Sequence, residues 1–281
     1  MTASGRAGAA GAGEPTGQDG PVPVEPLSLP GLILVLAAVV IGLSKTSVGG
    51  FAALAVAAFA VYLPTKESTA AVLLLLLIGD VVGVARYRKA ASWPLLRRLL
   101  PSVLPGVAVG AVFLRVVDDH TLRLSIGVIL TVMVAIQLTL RLRHRRRTDP
   151  RPDGPTPPDV PEQPHRLAGV AAGIAAGFTT MTANAAGPVM TLYLLACRVD
   201  KMAFVGTNAW FFLLVNLSKT PFSAALGLFP ASTLALTVAL APFVLAGTWL
   251  GVKLVRRVDQ RTFDALALAA SAVAAVALLV R

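Results

Sequence analysis

The sequence predicts an all-α polytopic membrane protein. It is built from two inverted structural repeats, each a broken, re-entrant helical hairpin plus three transmembrane helices. Three observations lead there. Hydrophobic residues make up 56 % of the 281-residue chain and charged residues 14 %, whereas a soluble domain carries roughly 25 % charged residues. Apolar runs long enough to cross a bilayer recur along it. The pattern of runs then restarts after a basic, Pro-rich stretch near the middle.

Residues 1–26 are rich in Gly, Ala and Pro without periodicity. They read as a disordered tail, since no apolar core of a signal peptide precedes residue 27. The first repeat is assigned to 27–141. Its first apolar run, 27–63, is interrupted at GLSKTSVGG (42–50). The next, 67–85, is about 28 Å long as a helix, enough to span. Runs at 99–114 and 122–140 follow. Residues 142–166 form a basic and Pro/Asp-rich linker, read as solvated. The second repeat is assigned to 167–281. Its run 167–197 is interrupted at TTMTANAAGP (179–188), and runs at 202–217, 233–255 and 263–280 complete it.

The net charge of +11 does not imply a nucleic-acid partner. The basic residues sit between apolar runs, where they set membrane topology, so the lipid bilayer is the expected partner. One cysteine, Cys197, excludes an intramolecular disulfide and a Cys-rich metal site. The three histidines lie in polar segments without metal-ligand spacing, so neither metal nor cofactor is expected.

The restart is an internal repeat. A shift of 135 carries GLSKTS (42–47) onto GFTTMT (177–182) and Lys66 onto Lys201. A shift of 141 carries Gly106, Gly110, Asp118 and Thr121 onto Gly247, Gly251, Asp259 and Thr262. Duplicated halves are a common construction of secondary transporters.

The interrupted runs allow two topologies. As broken crossings they give four crossings per half and parallel halves. As re-entrant hairpins they give three crossings and inverted halves. Their arms, read as 12–13 residues or about 20 Å, are too short to span. Charge separates the readings. Inverted halves place 18 Lys and Arg inside and 5 outside, with the termini outside and the linker cytoplasmic. Parallel halves divide the same residues 14 and 9. Lys45 and Lys219 remain within apolar segments, and placing Lys219 at the outer interface changes the split only to 18 and 6.

The hairpin tips are the candidate binding site for a small anion. The first presents Ser44, Lys45, Thr46, Ser47, Gly49 and Gly50; the second presents Thr179, Thr180, Thr182, Asn184 and Gly187. Hydroxyls and amides supply neutral donors, and glycines expose backbone N–H groups. Each tip is expected to start a half-helix whose N-terminus attracts an anion, with the Ser and Thr residues as N-caps. Lys45 adds a full charge, either for the anion or to order the hairpin. Asn208, in the span after the second hairpin, joins the candidate set, although interhelical bonding explains it and Asn216 as well. Asp80 is either a proton-coupling carboxylate or an interfacial acid paired with Arg86 or Lys89, and the latter is preferred.

GLSKT lacks phosphate-loop spacing, and no base stands beside a nucleophile, so an enzyme is not expected. The motifs GLSKTSVGG (42–50), LPTKESTA (63–70), DVVGVARYRK (80–89), AAGPVMTLYLL (185–195) and VDKMAFVGTNAWFFLLVN (199–216) resemble the sulfite exporter TauE/SafE family of membrane permeases. The resemblance spans about residues 30–280. It implies carriage of small sulfur-containing or organic anions, such as sulfite or sulfoacetate, across the bacterial inner membrane, commonly outward. Uptake by the same fold and a non-transporting scaffold are the alternatives. Homo-oligomerisation is left open.

Overall fold

The computed structural model describes residues 28–45, 52–147, 166–197, 199 and 201–254. The tail 1–26, most of the linker and the run 263–280 lie outside the described residues.

The first hairpin is α1 (Leu29–Ser44) and α2 (Ala52–Tyr62), which pack on each other. Ser28 starts α1: its side chain accepts from Gly31 N at 3.2 Å, and Pro30 suits the first turn, where its missing N–H is not needed. Then come α3 (Thr65–Tyr87), a 3-10 turn at Arg88–Ala90, α4 (Trp93–Val116) and α5 (Asp119–Arg147). The Thr65 backbone N–H donates to Asp119 Oδ2 at 3.1 Å, tying the start of α3 to the start of α5. The second hairpin is α6 (Arg166–Ala183) and α7 (Gly187–Ala196), followed by α8 (Lys201–Ala225) and α9 (Ala231–Leu254).

Among the described residues, four helical segments are long and apolar enough to cross a bilayer: Thr65–Ala90, Trp93–Val116, Asp119–Ile136 and Ala231–Lys253. Helix α8 is 25 residues long but carries Asn208, Asn216 and Lys219, which lower its hydropathy. Helices α1 and α2, of 16 and 11 residues, reach only about 24 and 16 Å, short of the roughly 30 Å hydrocarbon core.

The first arms are longer than the 12–13 residues read from sequence. Helix α1 continues through Gly42, Leu43 and Ser44, and α6 continues through Thr179, Thr180 and Thr182. The polar motifs therefore do not break the helices where they begin. Ser and Thr hydroxyls remain inside a helix by bonding back to carbonyls of the preceding turn. Ser44 Oγ donates to Ile41 O at 2.7 Å, Thr179 Oγ1 to Ala175 O at 2.8 Å, and Thr182 Oγ1 to Phe178 O at 2.9 Å.

Large apolar side chains face outward: Leu29, Leu32 and Leu36 on α1, Val109, Val112 and Val116 on α4, Val238 and Trp249 on α9. Asp80, Asn184, Asn216 and Lys219 are buried. This apolar exterior around a polar centre suits lipid as solvent.

Two glycine seams join the halves. A Cβ on Gly42 would run into the Val244 carbonyl oxygen, and one on Gly247 into that of Val39. Likewise, a Cβ on Gly106 would meet the Ile174 carbonyl oxygen, and one on Gly177 that of Val103. So α1 lies directly on α9, and α4 on α6. The shift of 135 carries Val39 to Ile174 and Gly42 to Gly177, and the shift of 141 carries Val103 to Val244 and Gly106 to Gly247. The two seams thus correspond position by position.

Between them α3 and α8 pack antiparallel. Asp80 meets Asn216, the Arg88 carbonyl accepts from Trp210 Nε1, and Ser92 N donates to Thr207 Oγ1 at 2.8 Å. As α3 proceeds, its neighbours on α8 step backwards.

Candidate functional site

The ends of the two first arms meet the α3–α8 pair in one buried polar network. Lys45 is the C-cap of α1. Its stem crosses α3 at Gly79, where a Cβ would collide with the Lys45 Cγ. The ammonium then reaches Asp80 Oδ1 at 2.6 Å and lies 4.7 Å from the centre of the Phe212 ring. The pair is nearly dry, with side chains 8 % and 1 % exposed. Asp80 Oδ2 accepts from Asn216 Nδ2 at 2.6 Å.

Asn216 passes the network to Lys219, one turn along α8. Residues three apart share a helix face. The Lys219 ammonium donates to Asn216 Oδ1 at 3.1 Å, Asn184 Oδ1 at 2.6 Å, Thr180 O at 2.9 Å and Thr180 Oγ1 at 3.1 Å. Asn184 Nδ2 donates back to Thr69 O on α3 at 3.0 Å. Asn184 ends α6 with a left-handed backbone, φ 50°, a conformation asparagine tolerates better than most residues. That turn places its amide against Lys219 and α3.

The network brings together Lys45, Asp80, Thr180 and Asn184 from the sequence-derived set. It adds Lys219, Asn216 and Thr69. Lys219 is not turned outward: it is 1 % exposed and surrounded by oxygens. Asp80 is 2 % exposed, and its partner is Lys45 rather than Arg86 or Lys89. Arg86 and Lys89 lie past it toward the end of α3, on an exposed stretch. Ser44, Thr179 and Thr182 bond within their own helices at the ends of the first arms and do not cap a following one. Gly187 opens α7, with free space where a Cβ would stand. Asn208 stands apart from the network, and its Oδ1 is buried without a hydrogen-bond partner among the described residues. Thr46, Ser47, Gly49 and Gly50 lie outside the described residues.

A lysine stands at the end of each first arm, but only the end of α6 receives an ammonium on a carbonyl, that of Thr180. On α1 the lysine is the cap itself and sends its ammonium on to Asp80; on α6 the ammonium is delivered from α8. The C-terminal end of a helix is the negative end of its dipole, so cations are stabilised there.

No curated protein and no solved structure matches the chain significantly. The sequence profile described as Sulfite exporter TauE/SafE matches residues 34–278, which takes in all but the first turn or so of the first hairpin, the second hairpin, the whole network and both seams. With its apolar helices and buried polar centre, the chain belongs to the sulfite exporter TauE/SafE family of multi-pass membrane transporters.

Proposed function

We propose that the protein carries a small anion, a sulfur oxyanion such as sulfite or an organic sulfonate such as sulfoacetate, outward across the bacterial inner membrane. One observation carries this reading. Between the hairpin ends, two buried ammonium groups, Lys45 and Lys219, stand against one carboxylate, Asp80. An uncompensated charge in a low-dielectric interior costs several kcal/mol, and a bound anion removes that cost. An inside-negative potential favours outward movement of an anion by about 2.3 kcal/mol per charge per 100 mV.

The halves are inverted in this reading. Helices α3 and α8 correspond in the repeat, Lys66 matching Lys201, yet they run antiparallel. A two-fold axis relating antiparallel neighbours lies across them, in the membrane plane. Parallel duplicates would run the same way. The division of Lys and Arg favours the same arrangement, with the 142–166 linker cytoplasmic and both termini outside. Alternating access then moves the hairpin ends about the central α3–α8 pair. Asp80, paired with Lys45, is the group through which a proton would couple.

The test is flux of labelled sulfite, thiosulfate, sulfoacetate and simple carboxylates in proteoliposomes, with and without a pH gradient. Saturable flux of one of these anions is expected, and it should be lost in Lys45→Met. An absence of saturable flux for every anion would reject the reading. Asp80→Asn should transport independently of the pH gradient if Asp80 carries the coupling proton.

A further inference from the structure

The surroundings of Lys219 are those of a metal cation rather than of an anion-binding lysine. Its ammonium has three N–H donors and meets four oxygens within 3.1 Å: Asn184 Oδ1, Thr180 O, Thr180 Oγ1 and Asn216 Oδ1. Its donors are therefore fully occupied by the protein.

The two amides are held with their oxygens inward. Asn216 Nδ2 is committed to Asp80 Oδ2 and Asn184 Nδ2 to Thr69 O, both acceptors that only an NH₂ group can satisfy. The oxygen of each amide must then face Lys219. The Thr180 carbonyl lies in the last turn of α6, at the negative end of its dipole. Hard cations prefer such all-oxygen shells, and in transporters the C-terminal ends of broken helices coordinate Na⁺. The four oxygens and the helix end together make a cation cradle with an ammonium in it.

We propose that Thr180, Asn184 and Asn216 form a monovalent-cation site whose ion is supplied covalently by Lys219. Removing the ammonium exposes a site for a free alkali or small alkylammonium ion. The wild-type chain needs no free cation there, because its cation is tethered to α8. Lys219 is then a positioning residue that fixes the end of α6 against α3 and α8, and Lys45 is the lysine left to meet an anion. The cradle stands on its own contacts and does not depend on which solute is carried.

The experiment uses the full-length chain in detergent micelles, with thermal unfolding read in NaCl, KCl, methylammonium chloride and choline chloride at equal ionic strength. Wild type should unfold at the same temperature in all four. Lys219→Ala should show a saturable rise of about 2–4 °C in at least one of the three small cations over choline. The rise should vanish in Lys219→Ala/Asn216→Leu, which removes an oxygen of the cradle. Lys219→Ser provides a second variant with the same expectation. A Lys219→Ala protein indifferent to all four salts would overturn the proposal. So would a rise that survives the Asn216→Leu change, or an equal rise in wild type. Failure to isolate either single variant in any of the salts would also overturn it, since a free cation would then not replace the ammonium.

Discussion

Asn184 accepts a 2.6 Å hydrogen bond from Lys219 while its own backbone sits at φ 50°. One residue thus ends α6 and holds the ammonium delivered from α8. The two tasks separate by substitution. Asn184→Gly keeps the left-handed turn and loses the acceptor. Asn184→Ala loses the acceptor and adds a backbone cost of roughly 1–2 kcal/mol. Thermal unfolding should therefore rank wild type above Asn184→Gly, and Asn184→Gly above Asn184→Ala. Equal stability of the two variants would show that the turn is not strained.

Asn184→Asp tests the charge count. It sets a carboxylate against Lys219 in place of a neutral oxygen and cancels the surplus positive charge. The variant should fold, because it gains a buried ion pair, and it should lose saturable anion flux. Flux at the wild-type rate would show that the surplus charge does not attract the cargo.

Lys45 and Asp80 form a dry pair, and removing one partner strands the other. Lys45→Met and Asp80→Leu should each destabilise the chain by about 3–5 kcal/mol. The double variant should recover much of that loss, because no charge is left stranded. Additive losses in unfolding measurements would show that the two residues do not depend on each other.

The seams predict opposite outcomes for chemically identical changes. Gly42→Ala, Gly106→Ala and Gly247→Ala each push a methyl group into a facing backbone carbonyl, and overpacking of this kind costs typically about 1–3 kcal/mol. Gly187→Ala meets open space and should be neutral or slightly stabilising. Unfolding temperatures of the four variants decide it.

The antiparallel α3–α8 pair puts the loop after α3 and the loop after α8 at opposite ends of the pair. Lys89 and Ala231 are exposed at those ends. With Cys197 changed to serine, Lys89→Cys and Ala231→Cys should react with an impermeant thiol reagent from opposite sides. Labelling of both from one side would exclude inverted halves.

Much of this architecture was legible in the sequence. Apolar run lengths place α3, α4, α5 and α9, and the two polar interruptions locate the ends of α1 and α6. Lys45, Thr180 and Asn184 stand out because polar residues at membrane depth need a reason. Lys219 did not, because a topology rule that counts charges at helix ends pulls a lysine near the end of a run towards the interface. Two local signals point the other way. Lys219 lies inside α8, which continues through Pro221 to Ala225, and Asn216 sits one turn before it on the same face. Its partners on α6 are 35 and 39 residues away in sequence, and Asn216 meets Asp80 across 136. No periodicity encodes such contacts. The same holds for Asp80: Arg86 and Lys89 are its basic neighbours along the chain, whereas its partner, Lys45, comes from the end of another helix.

The glycine seams also set which parts of the chain pack as units. Each first arm is locked, carbonyl against glycine, onto the fourth helix of the opposite half: α1 onto α9, and α6 onto α4. The duplicated halves are therefore not separate packing units. Each packing unit is a composite of one arm from one half and one long helix from the other. A chain cut within the 142–166 linker would leave each fragment with a glycine face bared, the other fragment holding the helix that covers it.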